Sequence, residues 1–374
     1  MQKITKTIIF SLIVLTIIGL AIWFGVSRYT APTTKEIIRI GAVLPLSGKN
    51  AEWGEWTKRG IELALEEANV SKKLNVFYED SGEDVSRAVS AAQKLINIDK
   101  VEVLICQLSD VCSAVAPVAQ SNKAVLFGFT NTPDFEKIGD YIFNFRGDAR
   151  DAGKKLGEFA SQKYKTAAVL YLNNATQKGV FEGFKKQFEQ KGGQVVISES
   201  HIETEKDFRV SIGKIKEKNP QIILIATRPA NFIDIVKQIK QIGLSQPLFG
   251  TLGVHGTKSI IDGLQELAEG IIYPAPVVDE QADNIILRAA LERHKEKFNE
   301  PMPIWTAEAY DATKLLALLA DGGAKDSDSI KNALVEVNGF LGLAGNIDFS
   351  SSRAVNKPYY LFTIKNGQFI PYEE

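Results

Sequence analysis

Apolar and polar positions alternate along this chain in a repeating strand-then-helix order. Residues 38–44 (IRIGAVL) form a short apolar run. Pro45 and Gly48 break it into a loop that carries Ser47 and Trp53. The pattern resumes with Ile61, Ala64, Leu65 and Ala68 at helical spacing, which predicts a strand, a loop and an amphipathic helix. The unit then repeats. Strands are expected over 74–78, 101–106, 124–129 and 141–145, with helices over 84–98 and 111–122. Within 84–98, Val85, Ala88, Val89, Ala92, Leu95 and Ile96 share the inward face. A second run begins at Asp148. Helices over 149–162, 178–190, 207–218 and 230–242 alternate with strands over 167–172, 194–199, 222–227 and 248–251. Such alternation predicts parallel sheets with helices on both faces. Two runs hold too many strands for one sheet, so two α/β lobes are expected. The tail adds helices over 282–298, 306–321 and 327–337. A hairpin over 359–372 turns at Asn366-Gly367, so the tail is expected to cross between the lobes.

Composition narrows the function classes. The 374 residues suffice for two domains, and 45% apolar with 24% charged residues is ordinary globular usage. A net charge of −1 carries no electrostatic footprint for nucleic acid. At the amino end, Lys3 and Lys6 precede an uncharged apolar run over 8–26. That run is close to the ~20 residues that span a bilayer. A cleaved signal needs a small residue near its cut, and the best site, before Pro32, has Tyr29 there. A signal anchor over 1–28 and a linker over 29–36 are expected, with the globular part outside the cytoplasm. A cleaved signal is the alternative. No cysteine stands just after the run, so a lipid anchor is not expected.

Catalytic signatures do not appear. The phosphate-cradling GxGxxG and GxxxxGK[ST] loops, the GxSxG elbow and paired histidines at ligand spacing are missing from the sequence. No cofactor, metal or catalytic set is nominated, and a non-enzyme is expected. His201, His255 and His294 fall in unrelated segments and read as surface or loop residues. Glu62, Glu66 and Glu67 read as a solvated helix face. Cys106 and Cys112 allow either a disulfide or two thiols. What does appear is a set of polar residues at strand-to-helix junctions. These are Ser47, Ser109 with Asp110, Thr130 to Thr132, residues 173–176, Thr227 with Arg228, and Thr251. Ligands of doubly wound sheets sit outside the carboxyl ends of the strands, where such residues gather. Hydroxyls, amides and free helix N–H groups make a polar cradle there. Singly, Asp110 or Thr176 reads as a helix cap. Together the set predicts a cleft for a small molecule.

The landmarks then fall into a familiar order. They are IGAVLPLSG (40–48), RGIELALEEAN (59–69), VEVLICQLSDVCSAVAPVAQ (101–120), KDFRVSIGKIKEKNPQIILIA (206–226), LAEGII (267–272) and AYDATKLLA (309–317). The series resembles the solute-binding proteins of branched-chain amino-acid ABC transporters, the leucine-binding-protein-like group. The resemblance implies an α/β, two-lobe type I periplasmic-binding-protein fold. Each lobe would be a doubly wound, mostly parallel sheet, hinged by crossover strands and closing on the ligand. Lobe 1 would take 37–147 and 277–341, and lobe 2 would take 148–276 and 342–374. Trp53 would be the aromatic contact, and Ser109, Asp110, Thr130 and Asn131 would surround the ligand carboxylate. Thr176 and Arg228 stand where the family places covering aromatics. Leu252 stands where the family places the acid that pairs with the ammonium. Leu252 would leave a buried ammonium unpaired, a costly arrangement. Arg228 is a candidate to clamp a carboxylate bidentately. A ligand other than a simple branched-chain amino acid is therefore expected, with ABC permease and ATPase subunits as partners. A membrane-anchored sensor is the second reading.

Overall fold

A computed structural model describes residues 37–278 and 284–373. The expected membrane span over 8–26 lies outside the described residues. Among the described residues, no helix is long and apolar enough to cross a membrane.

The first sheet contains β1 (Ile38–Leu44), β2 (Leu74–Asp80), β3 (Val103–Gln107), β4 (Val125–Phe129) and β5 (Ile142–Asn144). They are parallel, in the order β2-β1-β3-β4-β5. The second sheet is formed by β6 (Thr166–Leu172), β7 (Gln194–His201), β8 (Ile222–Ala226), β9 (Leu248–Phe249) and β10 (Ile272–Ala275). A short antiparallel pair, β11 (Phe340–Gly342) and β12 (Gly345–Ile347), stands apart. The terminal hairpin, β13 (Tyr360–Lys365) and β14 (Gln368–Pro371), joins the second sheet antiparallel to β10. Its turn residues, Asn366 (φ 51°) and Gly367 (φ 71°), have the left-handed backbone that an Asn-Gly hairpin supplies. The second sheet thus runs β14-β13-β10-β9-β8-β6-β7.

Both faces of each sheet are buried, which is why the strands read as continuous apolar runs. Successive strand residues point to opposite faces. Ile40, Ala42, Val103 and Ile105 pack with Leu315 and Leu316 of helix Ile304–Asp321. Val43, Leu104 and Cys106 pack on the other side with Leu95, Val115 and Ala119. The second sheet repeats the device, with Leu170 and Ile225 on one face and Val169 and Leu224 on the other.

Several expectations need correction. Val85 is 41% exposed, because the Asp84 side chain accepts from Arg87 N and starts the helix at Val85, before its inward face begins. Ile347, Phe349 and Val355 pack in the first core, so the chain does not pass to the second sheet at residue 342. It does so only on approaching β13. His201 and His294 are buried rather than at the surface. His294 lies on helix Ile285–Phe298 beside Phe298, and burial pushes its pKa down to about 4. Glu67 is not solvated. It accepts from Arg293 Nη2 (2.7 Å), Tyr310 Oη (2.6 Å) and Lys314 Nζ, tying the turn after the first helix to two helices of the tail.

Candidate functional site

The carboxyl ends of the two sheets face one cleft of about 740 Å³, a volume that includes solvent at its mouth. Its walls come from the loops after the strands and from the passages between sheets. Trp53, Ser109, Thr130, Asn131, Thr176, Arg228 and Leu252 all line it. Asp110 does not line it but touches Arg228 at its edge. Ser47 is elsewhere: its hydroxyl donates to Asp80 Oδ2 (2.6 Å) and fixes the loop after β1.

One wall is aromatic. Trp53 stacks on Trp305 with ring centroids 5.7 Å apart and planes 16° apart. Phe129 and Tyr359 extend the surface. Another wall is polar. Thr130 Oγ1 donates to Ser109 Oγ (2.9 Å) and accepts from Thr132 N (3.0 Å). Asn131 Nδ2 donates to Tyr359 Oη (3.1 Å). Ser109 opens helix Ser109–Ser121, whose leading N–H groups have no partner within the helix. It is aimed by Leu108, which holds φ 76°, uncommon for a residue with a side chain. A Cys106–Cys112 disulfide brackets this turn, with Cα atoms 5.5 Å apart, within the usual span. Neither Asp110 nor Thr176 is a cap. Asp110 forms no cap hydrogen bond, and Asn174 caps helix Ala175–Gln190 by accepting from Gln177 N.

Charge is arranged in two groups. Arg228 does not present a free fork to the cleft. Its Nη1 donates to Glu203 (2.5 and 2.6 Å) and its Nη2 to Asp110 Oδ2 (2.5 Å). Its position suggested a carboxylate clamp, but two protein carboxylates already fill that role. The second group was not legible from spacing. Arg146 Nε donates to Glu308 Oε2 (2.7 Å), and Lys357 Nζ donates to Glu308 Oε1 (2.8 Å). Burial pushes the Glu308 pKa up, but Arg146 and Lys357 together bring it below the ordinary carboxylate value. The Arg146 guanidinium lies over the Trp305 and Phe129 rings, 5.2 and 5.9 Å from their centroids. Arg146 Nη2, Thr176 Oγ1, Gln177 Oε1, Thr227 Oγ1 and Trp305 Nε1 are buried without a hydrogen-bond partner. All five residues line the cleft, so the unsatisfied polar atoms concentrate where a ligand would satisfy them. Among the described residues, no group of His, Cys, Asp and Glu is arranged to hold a metal.

Two α/β lobes facing one polar and aromatic cleft define a two-lobed, small-molecule-binding protein. The chain belongs to the periplasmic binding protein family, whose sequence profile matches residues 37–368. The leucine-, isoleucine-, valine-, threonine-, and alanine-binding protein of Pseudomonas aeruginosa is 26% identical over 350 residues, 90% of each chain. The solved leucine binding protein of Thermotoga maritima superposes with a TM-score of 0.82 at 22% identity, covering 90% of this chain and 98% of that one. A solute binding protein of an ABC transporter from R. palustris, solved with benzoate, superposes at 0.79 with 20% identity, covering 90% and 95%. The chain is thus a type I periplasmic-binding-protein-like chain, similar to branched-chain amino-acid binding proteins.

Proposed function

We propose that this protein is the extracytoplasmic solute-binding component of an ABC importer. It captures a small polar ligand, an amino acid or a related carboxylate or amide, between two closing lobes. It then presents that ligand to a permease driven by ATPase subunits. The observation that carries this reading is the cleft itself, lined from both lobes and holding buried polar atoms that lack protein partners. Trp53, Ser109, Thr130, Asn131 and Thr176 are the ligand contacts in this reading. Arg228 and Asp110 tie the lobes together at the edge of the cleft, and Leu252 packs against the ligand body. The apolar run over 8–26 tethers the chain to the membrane. Family membership and the names of the relatives support a binding role over a catalytic one.

A thermal-shift screen of the full chain against amino acids, carboxylates and amides tests the reading. A ligand at a hundred times its dissociation constant adds about 2.7 kcal/mol to folding stability, which is readily seen as a raised midpoint. At least one compound is expected to raise the midpoint in a saturable way. A flat response to every compound contradicts solute capture.

A further inference from the structure

Arg146 lines the cleft, and behind it one buried carboxylate, Glu308, serves two buried cations, Arg146 and Lys357. Arg146, Glu308 and Lys357 side chains are 8%, 2% and 3% exposed. Glu308 gives one oxygen to each cation, so its single charge is divided between two. Asp311, the other buried carboxylate on that helix, spends its oxygens on the N–H groups of Leu343 and Ala344. Among the described residues it forms no ion pair with either cation, both of which pair with Glu308. Arg146 Nη2 therefore remains a buried donor on a charged group with no acceptor. Buried charges persist when paired and hydrogen-bonded, and a planar guanidinium matches a carboxylate in two parallel hydrogen bonds. The Arg228 group carries the opposite excess, one cation for two carboxylates. Its carboxylates, Asp110 and Glu203, are 41% and 38% exposed, so solvent screens them far more than the buried Arg146 group.

We infer that Arg146 is the ligand's carboxylate anchor and that the ligand is a carboxylate with an apolar or aromatic body and no ammonium group. This rests on the solute-capture reading and names the ligand class of the same cleft. The body lies against the stacked Trp53 and Trp305, and Leu252 offers it an apolar contact. Ser109 takes the second carboxylate oxygen. Its hydroxyl accepts from Thr130, which leaves its own proton to donate. No acidic side chain lines the cleft among the described residues, so an ammonium would meet Arg146 with no lining carboxylate beside it.

The test is calorimetric titration of the full chain with matched sets. These are 4-methylpentanoate, its amide and L-leucine; 3-phenylpropanoate, its amide and L-phenylalanine; and benzoate with benzamide. The tightest ligand is expected to be a carboxylate, at least ~30-fold tighter than its own amide and its own amino acid, the range of a buried hydrogen-bonded charge. Arg146→Gln is expected to erase the carboxylate-over-amide ratio while Glu308 keeps Lys357. Should Arg146→Gln fail to fold, Arg146→Lys is expected to keep the preference with roughly tenfold weaker binding, since a point charge replaces the fork. Tightest binding by an amino acid or amide, or a ratio untouched in Arg146→Gln, overturns this inference and leaves solute capture standing. Unchanged carboxylate affinity in Arg146→Lys overturns it likewise. Absence of binding by every member overturns this inference, while a hit in the thermal-shift screen outside these sets keeps solute capture standing.

Discussion

Arg228 holds two carboxylates at once, Glu203 from its own lobe and Asp110 from the lobe across the cleft. Such a bridge favours the closed arrangement, but its half-exposed carboxylates limit what it contributes. Exposed pairs are worth about 0–1 kcal/mol, so Asp110→Asn is expected to weaken ligand affinity by at most about fivefold. The loss should shrink at high salt, where surface charges are screened. Titration of the variant at low and high salt checks both. A loss that persists undiminished in high salt would point to direct ligand contact by Asp110.

Histidine burial gives a second prediction at this scale. Burial holds His255 and His294 down to about 4, against an ordinary value of 6.5. Between pH 6.5 and 4 the unfolded chain binds more protons at these sites than the folded one. Stability therefore falls as pH drops through that window. Asp311, pushed up to about 7 by burial, acts in the opposite sense, its neutral form being favoured when folded. The two histidines outweigh it. His255→Gln should reduce the slope of unfolding free energy against pH by up to ~1.4 kcal/mol per unit within the window. Denaturant titrations across pH 4–7 measure that slope, and an unchanged slope contradicts the assignment.

What was legible at this scale follows from locality. Ser109, Thr130 and Arg228 sit just past apolar runs, so their place at a strand's end could be read directly. Arg146 ends the run YIFNFR (141–146), a visible signal: one cation closing an aromatic strand. Its partners, Glu308 and Lys357, lie 162 and 211 residues on in sequence (308 − 146 and 357 − 146), beyond any local pattern. Trp305 was hidden likewise, 252 residues from the Trp53 it stacks on (305 − 53).

At the scale of elements, helix contacts set tight limits. Helix Ala51–Leu65 approaches helix Ile304–Asp321 so closely at Gly60 that an added Cβ would lie 2.1 Å from Thr306 O. Gly60→Ala must push two helices apart and is expected to destabilise the fold by about 1–3 kcal/mol. A lowered urea midpoint at unchanged m value would register it. The Cys106–Cys112 bridge closes a short loop around the turn that carries Ser109. For so small a loop, chain entropy gives about 2 kcal/mol of stabilisation. Unfolding the Cys106→Ala, Cys112→Ala variant beside the native chain reads that difference, and equal midpoints would contradict it. The periodic elements were legible because both faces of each sheet are buried, which writes itself as apolar runs between amphipathic helices. The hairpin was legible through Asn366-Gly367. The return to the second sheet was misplaced because Ile347, Phe349 and Val355 are apolar in a way that does not say which core they enter.

On the scale of the whole molecule, the two sheets meet through three passages of chain, after β5, after β10 and before β13. Several thin connections and one polar cleft are the design of a hinge rather than of a fused block. Lys49 and Ser259 are exposed and line, from opposite lobes, a second hollow beside Arg228 at the edge of the cleft. The two native cysteines are bonded to each other, which leaves introduced cysteines free for labelling. The most direct measurement is therefore the distance between spin labels at Lys49→Cys and Ser259→Cys in the full chain. It is taken without ligand and with the compound that most raises the thermal midpoint. Capture by closure predicts a longer, broader distribution without ligand that collapses to one short distance at saturation. The same distribution in both states would contradict closure of the lobes around the solute.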